Sequence, residues 1–244
     1  MLLAIDVGNT RVKAAVFEEN VILETYIFKV EIFLDQTQNI LKKFPKIKHL
    51  IIASVGKLDE HDLKPLSKKV EIVIVSRDFQ FPFQNLYHTP QTLGIDRLVL
   101  ASGATLLFRN QNRLIIDAGT CITYDFVNNQ NQYLGGAISP GIKLRYKSMN
   151  DYTAKLPLLE TQNPENFIGK TTAESMHSGV IFGVIGEIEG FINRYQTGFS
   201  NFTIILTGGD AEFLAKRLKN TIFANSNFLL ESLNVLFQYK IKND

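Results

Sequence analysis

The chain reads LLAIDVGNTRVKAAVF at residues 2–17 and LIIDAGTCITYDFV at residues 114–127. In each stretch an apolar run meets an Asp-x-Gly turn and a second β-rich run follows, a pattern that predicts a β-hairpin. The two turns align when Asp117 is set over Asp6. The simplest explanation is that the chain contains two copies of one structural unit, each opening with this hairpin.

Strands and helices alternate outward from the two hairpins. Strands are expected at 21–28, 50–55, 72–75, 133–135 and 202–206, and helices at 31–44, 59–69, 95–108, 142–149, 172–195, 211–218 and 229–239. Alternation favours parallel strand pairs, whereas the hairpins require antiparallel ones, so each copy is expected to be a mixed sheet covered by helices. The polar stretch 109–112 predicts a boundary, which gives domains 1–112 and 113–244.

The composition excludes several classes of protein. The 244 residues carry a formal charge of +2, with basic residues scattered along the chain, so a nucleic-acid partner is not expected. The single cysteine, Cys121, cannot form an internal disulfide and is expected to be a small packing residue. Neither a signal peptide nor an apolar stretch long enough to span a membrane is recognisable. A cytoplasmic protein without a membrane partner is therefore expected.

The first turn, Asp6-Val7-Gly8-Asn9-Thr10, has the character of a phosphate loop. Gly8 permits a positive φ, and the N–H groups of such a turn can face an anion. A carboxylate beside a phosphate requires a cation between them, so Asp6 indicates a nucleotide with magnesium. The alternative is an ordinary capped β-turn. The second hairpin, and the sequence Thr207-Gly208-Gly209-Asp210 between a strand and a helix, favour the nucleotide interpretation.

A second candidate site is the run Gly94-Ile95-Asp96-Arg97, which opens a predicted helix. The N-terminus of a helix attracts anions, and the guanidinium of Arg97 could bind a carboxylate through two hydrogen bonds. Two other interpretations stay open at this point. Asp96 could be a simple N-cap, and Arg97 could be a solvated surface charge.

Taken in order, these motifs resemble those of the actin, Hsp70 and sugar kinase superfamily, and within it those of the type III pantothenate kinases. Gly94-Ile95-Asp96-Arg97 resembles the family's substrate signature, with Tyr87 upstream of it. The runs GGAISPG at 135–141 and TAESMHSG at 172–179 are similar to two further family elements. Thr171, where the family favours Asn, and Ser232, where glycine is usual, depart from the pattern and concern local packing.

The resemblance implies a fold, a reaction and a set of residues. The fold would be α/β, with two ribonuclease-H-like domains of the actin-like ATPase type. The reaction would be ATP-dependent phosphorylation of pantothenate to 4'-phosphopantothenate, the first step of coenzyme A biosynthesis, with Asp96 as general base. The chain would form a homodimer, with the substrate pocket completed near the subunit contact.

The residues carried over from the family fall into three groups. Substrate contacts would come from Tyr87, Gly94, Ile95, Asp96, Arg97 and Thr172. ATP contacts would come from Asp6, Val7, Gly8, Asn9, Thr10, Arg11, Val12, Lys13 and Thr120. Asp117 would hold a monovalent cation, potassium or ammonium, and Asp6 would meet Mg²⁺ through the phosphates.

Two rival functions and one structural alternative accompany this interpretation. A nuclease could use Asp6, Asp96 and Asp117 as a two-metal cluster, although the glycine hairpins and the near-neutral charge argue against it. A regulator could keep the fold without the activity. The long helix from Thr172 has apolar residues at 180–182, 184, 185 and 188, which favour either a subunit contact or a fully buried core helix.

Overall fold

The structure, a computed structural model, describes residues 1–8, 11–54, 60–220 and 222–243, with only the backbone described at 60–62. The chain divides into two compact units. The first consists of Met1–Arg109, Asn131–Tyr133 and Asn227–Asp244, and the second of Asn110–Gln130 and Leu134–Ser226. The first break along the chain therefore lies close to residue 112, but residues 227 onward pack with the first unit instead of the second.

The first unit is built on a five-stranded mixed sheet. Its elements are β1 (Leu2–Val7), β2 (Arg11–Glu18), β3 (Val21–Lys29), α1 (Phe33–Lys43), β4 (His49–Ser54), α2 (Glu60–Ser67), β5 (Glu71–Ile74), the short β6 (Gln84–Asn85), α3 (Ile95–Leu107) and α7 (Phe228–Asn243). The strand order is β3-β2-β1-β4-β5. The β1–β2 and β2–β3 pairs are antiparallel, whereas β1–β4 and β4–β5 are parallel.

The second unit repeats this order. Its elements are β7 (Asn112–Ala118), β8 (Cys121–Val127), β9 (Gln132–Pro140), α4 (Ile142–Asp151), α5 (Thr172–Gly198), β10 (Phe202–Thr207), α6 (Ala211–Ala215) and β11 (Phe223–Ala224). The strand order is β9-β8-β7-β10-β11, which matches β3-β2-β1-β4-β5 strand for strand. The duplication predicted from the two hairpins is therefore present in the topology.

Both faces of β1, the central strand of the first sheet, are buried. Leu3 and Ile5 of β1 join a core cluster that includes Phe33 and Ile40 of α1. Leu2 and Ala4, which alternate with them, are buried as well. Side chains alternate between the two faces of a strand, and α7 contacts β1, β2 and β4, so α7 covers the second face. The run of apolar residues in β1 is the pattern of a strand buried on both sides.

Helix α7 reaches its place through close packing against α3. A Cβ on Gly103 of α3 would lie 1.9 Å from Ser232 Oγ, so only glycine leaves room for that side chain. Ser232 is fully buried, and its hydroxyl donates to the Phe228 carbonyl at 2.6 Å. The departure from the family's glycine at 232 is accommodated because the serine hydroxyl finds a partner within its own helix.

Several predicted boundaries were wrong for identifiable reasons. β9 extends to Pro140, since Gly136 lets its backbone approach β8: a Cβ there would lie 1.5 Å from the Tyr124 carbonyl oxygen. The polar stretch at 109–112 is not simply a linker, because Asn112 begins β7 and is buried. The short strands β6 and β11 carry no strand signal in the sequence, and α6 ends at Ala215.

Candidate active site

The first hairpin turn follows β1 and β2, which pair from Leu2–Phe17 to Val7–Val12. Gly8 N donates to Arg11 O at 3.0 Å, and a Cβ on Gly8 would lie 3.1 Å from that oxygen. Gly8 does not use the positive φ that glycine permits, since the described glycines adopt it only at Gly135 and Gly208. Asn9 and Thr10 lie outside the described residues.

The residues expected to bind ATP differ in what they can offer. Val7 and Val12 are buried in the core cluster, so their side chains face away from solvent. Arg11 is exposed, and Lys13 is partly buried directly opposite Asp6 in the β1–β2 register. Side chains that are directly opposite in an antiparallel pair share one face of the sheet. Asp6 and Lys13 therefore form a polar pair at the end of β1.

The second hairpin turn is one residue shorter, because Ala118 pairs with Ile122. Gly119 N donates to Cys121 O at 3.0 Å, and Thr120 at the tip is exposed. Cys121 is exposed too, so the prediction that it is a packing residue was wrong. It is the first residue of β8, and alternation places the next side chain, Ile122, in the core.

Three glycine-containing segments of the second unit converge around Asp117. Gly208, with φ +97°, lies so close that a Cβ there would be 2.4 Å from both Asp117 Oδ1 and Ala118 O. Asp210 N donates to Ala118 O at 3.0 Å. Gly141 N donates to Thr120 O at 2.9 Å, and a Cβ on Gly141 would lie 2.1 Å from Gly119 O. The Thr-Gly-Gly motif thus packs against the Asp117 carboxylate, and the Pro-Gly motif packs against the turn that follows it.

Asp210 supplies a further carboxyl group close to the turn that follows Asp117. Asp210 follows Gly209 and precedes α6, and burial raises its pKa above the ordinary range, with the charge of Lys143 acting in the opposite direction. The Asp210 carboxyl therefore holds a proton more readily than a solvated carboxyl does.

The substrate signature lies at the start of α3. Gly94 is the N-cap, with ψ 140°, and a Cβ there would lie 2.3 Å from Asp96 Oδ1. Asp96 is consequently not the N-cap, which was one of the open interpretations. Its Oδ1 accepts a hydrogen bond from Arg97 N at 2.9 Å, and the residue stays partly exposed. Ile95 is buried in the core, so it can offer a ligand only its backbone.

Arg97 and Tyr87 are brought together at this helix start. Arg97 is only 6% exposed, which contradicts its interpretation as a solvated surface charge. Its Cζ lies over the Tyr87 ring at 5.9 Å from the centroid. The carboxylate of Asp96, the guanidinium of Arg97 and the aromatic ring of Tyr87 thus form one polar and aromatic group at the N-terminus of α3.

Thr172 lies in a different setting, within the second unit. It is exposed and lines a cavity of about 830 Å³ whose wall also includes Arg145, Lys170 and Ser175. Thr171 N-caps α5, because its hydroxyl accepts from Glu174 N at 3.2 Å while Glu174 Oε2 accepts from Lys170 N at 2.7 Å. This arrangement is a variant of the capping box in which Glu174 binds the N–H of the residue before the cap, and threonine fills the cap position where the family favours Asn.

Sequence reasoning missed the residue that holds Arg145. Glu187 of α5 accepts hydrogen bonds from Arg145 Nη2 at 2.5 Å, from Tyr124 OH at 2.8 Å and from Ser139 Oγ. Burial alone would raise the pKa of Glu187, but the hydrogen bonds from these three donors and the charge of Arg145 hold it below its ordinary value. Burial and the bond to Glu187 raise the pKa of Tyr124. Neither Glu187 nor Arg145 lies in a recognisable motif.

The sequence model of a family described as type III pantothenate kinase matches residues 2–194. The chain belongs to the type III pantothenate kinases. A type III pantothenate kinase of Flavobacterium johnsoniae is 57% identical over 244 residues, covering all of both chains. Because this family consists of kinases, neither of the rival functions, a nuclease or a regulator without activity, is supported.

Solved structures confirm the fold expected for a type III pantothenate kinase. A Campylobacter jejuni protein, described as a Baf family transcriptional activator, superposes with a TM-score of 0.66 at 21% identity over 98% of this chain and 99% of its own. A glucokinase from an Antarctic psychrotroph superposes with a TM-score of 0.55 at 12% identity over 97% and 98%. The α/β fold of the actin-like ATPase type is thereby confirmed.

Two features are absent from the described residues of this pantothenate kinase. Among the helices in the described part of the chain, none has the length and apolar character that a membrane span requires. Within the same residues, no group of three or more His, Cys, Asp or Glu side chains could hold a metal ion.

Proposed function

We propose that this chain transfers the γ-phosphoryl group of ATP to the hydroxyl of pantothenate in the cytoplasm, the first step of coenzyme A biosynthesis. The observation that carries the proposal is the group at the start of α3, where a partly exposed Asp96 adjoins the buried Arg97 and the half-buried Tyr87. A hydroxy acid needs a proton acceptor for its hydroxyl and a cationic partner for its carboxylate. This group supplies both.

Each residue of the group has a separate role in this proposal. Asp96 accepts the proton of the attacking hydroxyl as general base. Arg97 binds the carboxylate, with Tyr87 beside it, while the N–H groups of Gly94 and Ile95 add the partial positive charge of the helix N-terminus. Thr172 is proposed as a further contact to the substrate. Phosphoryl transfer otherwise depends on positioning and on neutralising phosphate charge.

The nucleotide is proposed to bind at the two hairpin turns. The side chains of the exposed Arg11 and the partly buried Lys13, and the exposed hydroxyl of Thr120, would contact the phosphates. Asp6, partly exposed at the end of β1 with Lys13 opposite, is suited to Mg²⁺ shared with those phosphates, since Mg²⁺ commonly binds one or two carboxylates together with substrate phosphates.

Asp117 is the proposed ligand of a monovalent cation, potassium or ammonium. The donors around it are oxygens, namely its carboxylate and the Ala118 carbonyl, and glycine at 208 keeps side-chain atoms out of the space beside both. Such a donor set fits a hard cation, which when bound would offset charge on the phosphates.

Replacing potassium by sodium at constant ionic strength should sharply lower activity, and Asp117→Asn should remove most of that dependence with most of the rate. Equal activity in both salts would refute the cation proposal.

A test of the function uses the purified protein with ATP, Mg²⁺, potassium and a panel of small hydroxy acids, read out by mass spectrometry. We expect pantothenate to gain one phosphoryl group. An identical reaction with Asp96→Asn protein controls for contaminating kinases. If another acid is phosphorylated while pantothenate is untouched, the substrate assignment is wrong.

A homodimer is proposed through one face of α5. The apolar residues that first suggested a contact do not carry it, because Val180, Ile181, Val184 and Ile188 are buried in the core of their own unit. The feature that favours a subunit contact is instead a stripe of glycines on one face of α5, at 179, 183, 186 and 190. Apart from the adjacent residues and the backbone of the helix itself, no described atom lies within 4 Å of where a Cβ would be at 179, 186 and 190.

A second copy of this chain is the proposed occupant of that face, since glycine lets two helix backbones approach closely. Sedimentation should show a dimer at micromolar concentration, and Gly186→Arg should convert it to monomer. Gly198→Arg, at an exposed glycine near the end of the same helix, is the matched control and should stay dimeric. Only monomer in the unmodified protein would refute the proposal.

A further inference from the structure

Tyr87 owes its position to a strand pair that the sequence does not reveal. It follows the two-residue strand β6, which pairs in parallel with Gln132 and Tyr133 of β9. Gln84 N donates to Asn131 O at 2.8 Å, and Leu86 N donates to Tyr133 O at 3.0 Å. The backbone is therefore held by hydrogen bonds up to the residue that precedes Tyr87, although the sequence there has the character of a loop.

The ring of Tyr133 supports the ring of Tyr87 directly. Tyr133 is 0% exposed, and its centroid lies 6.2 Å from that of Tyr87, with an interplanar angle of 60°. The ring centroid of Tyr133 also lies 5.8 Å from the ring centroid of Phe83. Tilted aromatic pairs at these distances are attractive beyond the area that they bury. Tyr87 therefore contacts a fixed, buried ring as well as the guanidinium of Arg97.

A third restraint acts on the backbone of Tyr87 itself. Its N–H donates to Oδ1 of Asn85 at 3.0 Å, two residues earlier in the chain. This is the side-chain-to-backbone bond of an Asx turn, which fixes the direction in which the chain leaves a strand. Asn85 is exposed and belongs to no core cluster, so burial does not explain the bond.

We propose that Tyr133 and Asn85 are positioning residues for the acid substrate, acting through Tyr87. The inference rests on the proposed function, because it takes Tyr87 to be the aromatic contact of that substrate. Tyr133 restrains the ring of Tyr87 and Asn85 restrains its backbone, so the side chain reaches the Arg97 guanidinium already ordered. If either restraint is lost, part of the substrate's binding free energy is used to order the Tyr87 side chain, so substrate affinity falls. The proton transfer to Asp96 is unaffected.

The first test removes the supporting ring. Tyr133→Leu should raise the KM for pantothenate roughly three- to tenfold, the range expected for losing one aromatic pair, with the KM for ATP and kcat little changed. Tyr133→Phe keeps the ring, so its KM for pantothenate should equal that of the unmodified protein. Phe17→Leu, at another fully buried aromatic of the first unit, controls for general loosening and should not change the KM for pantothenate.

The second test avoids the core altogether. Asn85→Ala should raise the KM for pantothenate in the same direction, because it removes the bond to Tyr87 N. Gln84→Ala is its matched control: it removes an equally exposed side chain of β6 whose partner is Gln132, and it should leave the KM unchanged. The proposal would be overturned if the KM values for pantothenate of Tyr133→Leu and Asn85→Ala equalled those of their controls. It would also be overturned if Tyr133→Phe raised that KM as much as Tyr133→Leu does.

A readout without substrate separates this inference from the proposed function. The chain has no tryptophan, so the indole introduced by Tyr87→Trp would be its only one. In that background, Tyr133→Leu and Asn85→Ala should each lower the fluorescence anisotropy of the indole, and the controls should not. Unchanged anisotropy overturns the positioning role even if pantothenate is phosphorylated. Lowered anisotropy in a protein that does not phosphorylate pantothenate upholds the positioning role and refutes the substrate.

Discussion

The carboxylate of Asp96 is the residue on which the proposed chemistry depends. Asp96→Asn should lower kcat about 10²–10⁴-fold, the contribution of a general base, because the amide cannot accept the substrate proton. The variant should fold and bind ATP normally, since the amide oxygen can still accept from Arg97 N, the bond seen at 2.9 Å. Steady-state kinetics and a direct ATP-binding titration measure the two effects. A variant that keeps most of its kcat would exclude Asp96 as the base.

Arg97 offers a second prediction at the scale of single side chains. Arg97→Lys should raise the KM for pantothenate more than the KM for ATP, because an ammonium does not reproduce the planar fork of the guanidinium that lies over the Tyr87 ring. Kinetics with each substrate varied in turn measure the difference. Arg109→Lys, at an exposed arginine just beyond the same helix, should change neither KM. Equal increases in both KM values would remove Arg97 from the carboxylate site.

At the scale of elements, Glu187 joins α5 to α4, β8 and β9. Glu187→Gln should destabilise the fold by roughly 1–3 kcal/mol at neutral pH, because hydrogen bonds to a charged group are lost and Arg145 faces a neutral partner. The pKa of Glu187 is lowered in the folded state, so its contribution is complete above the ordinary carboxyl pKa of 4.5 and is lost as the pH falls through the folded value.

Urea unfolding at neutral and at acid pH measures this contribution. The difference between the unmodified protein and Glu187→Gln should shrink at acid pH. Glu189→Gln is the control on the same helix, because that carboxylate accepts from a single backbone donor, Lys219 N at 3.2 Å. Its effect should be smaller, and a pH-independent difference for Glu187→Gln would contradict the assigned ion pair.

The same element shows how far the sequence could predict the site. The hairpins, the long helices and the substrate signature were visible, because their signals lie within a few neighbouring residues. The contact between Glu187 and Arg145 joins residues 42 positions apart, and β6 exists only because β9 pairs with it. Neither partner of such a contact has a local pattern. The sequence accordingly located Tyr87, but it revealed neither the residues that hold Tyr87 nor the pair of Glu187 and Arg145.

At the scale of the whole molecule, α7 is the element whose place was least predictable. It is made after the second unit yet packs with the first. Leu233→Ala, at a fully buried position of α7, should cost about 2–5 kcal/mol and speed amide hydrogen exchange in β1 and β4. Leu214→Ala in α6, equally buried, should instead speed exchange in strands of the second unit. Unchanged protection of β1 and β4 in Leu233→Ala would contradict this assignment of α7.

The return of α7 to the first sheet also bears on how the protein is made. A ribosome releases residues 1–109 well before residues 227–243, so during translation the sheet has a face, with Leu2 and Ala4 on it, that its own helix does not yet cover. The half of the molecule synthesised first is thus completed last. Nascent chains arrested between residues 110 and 226 should stay sensitive to protease in β1–β5 and attract chaperones that bind apolar surface, and both properties should vanish once α7 has emerged.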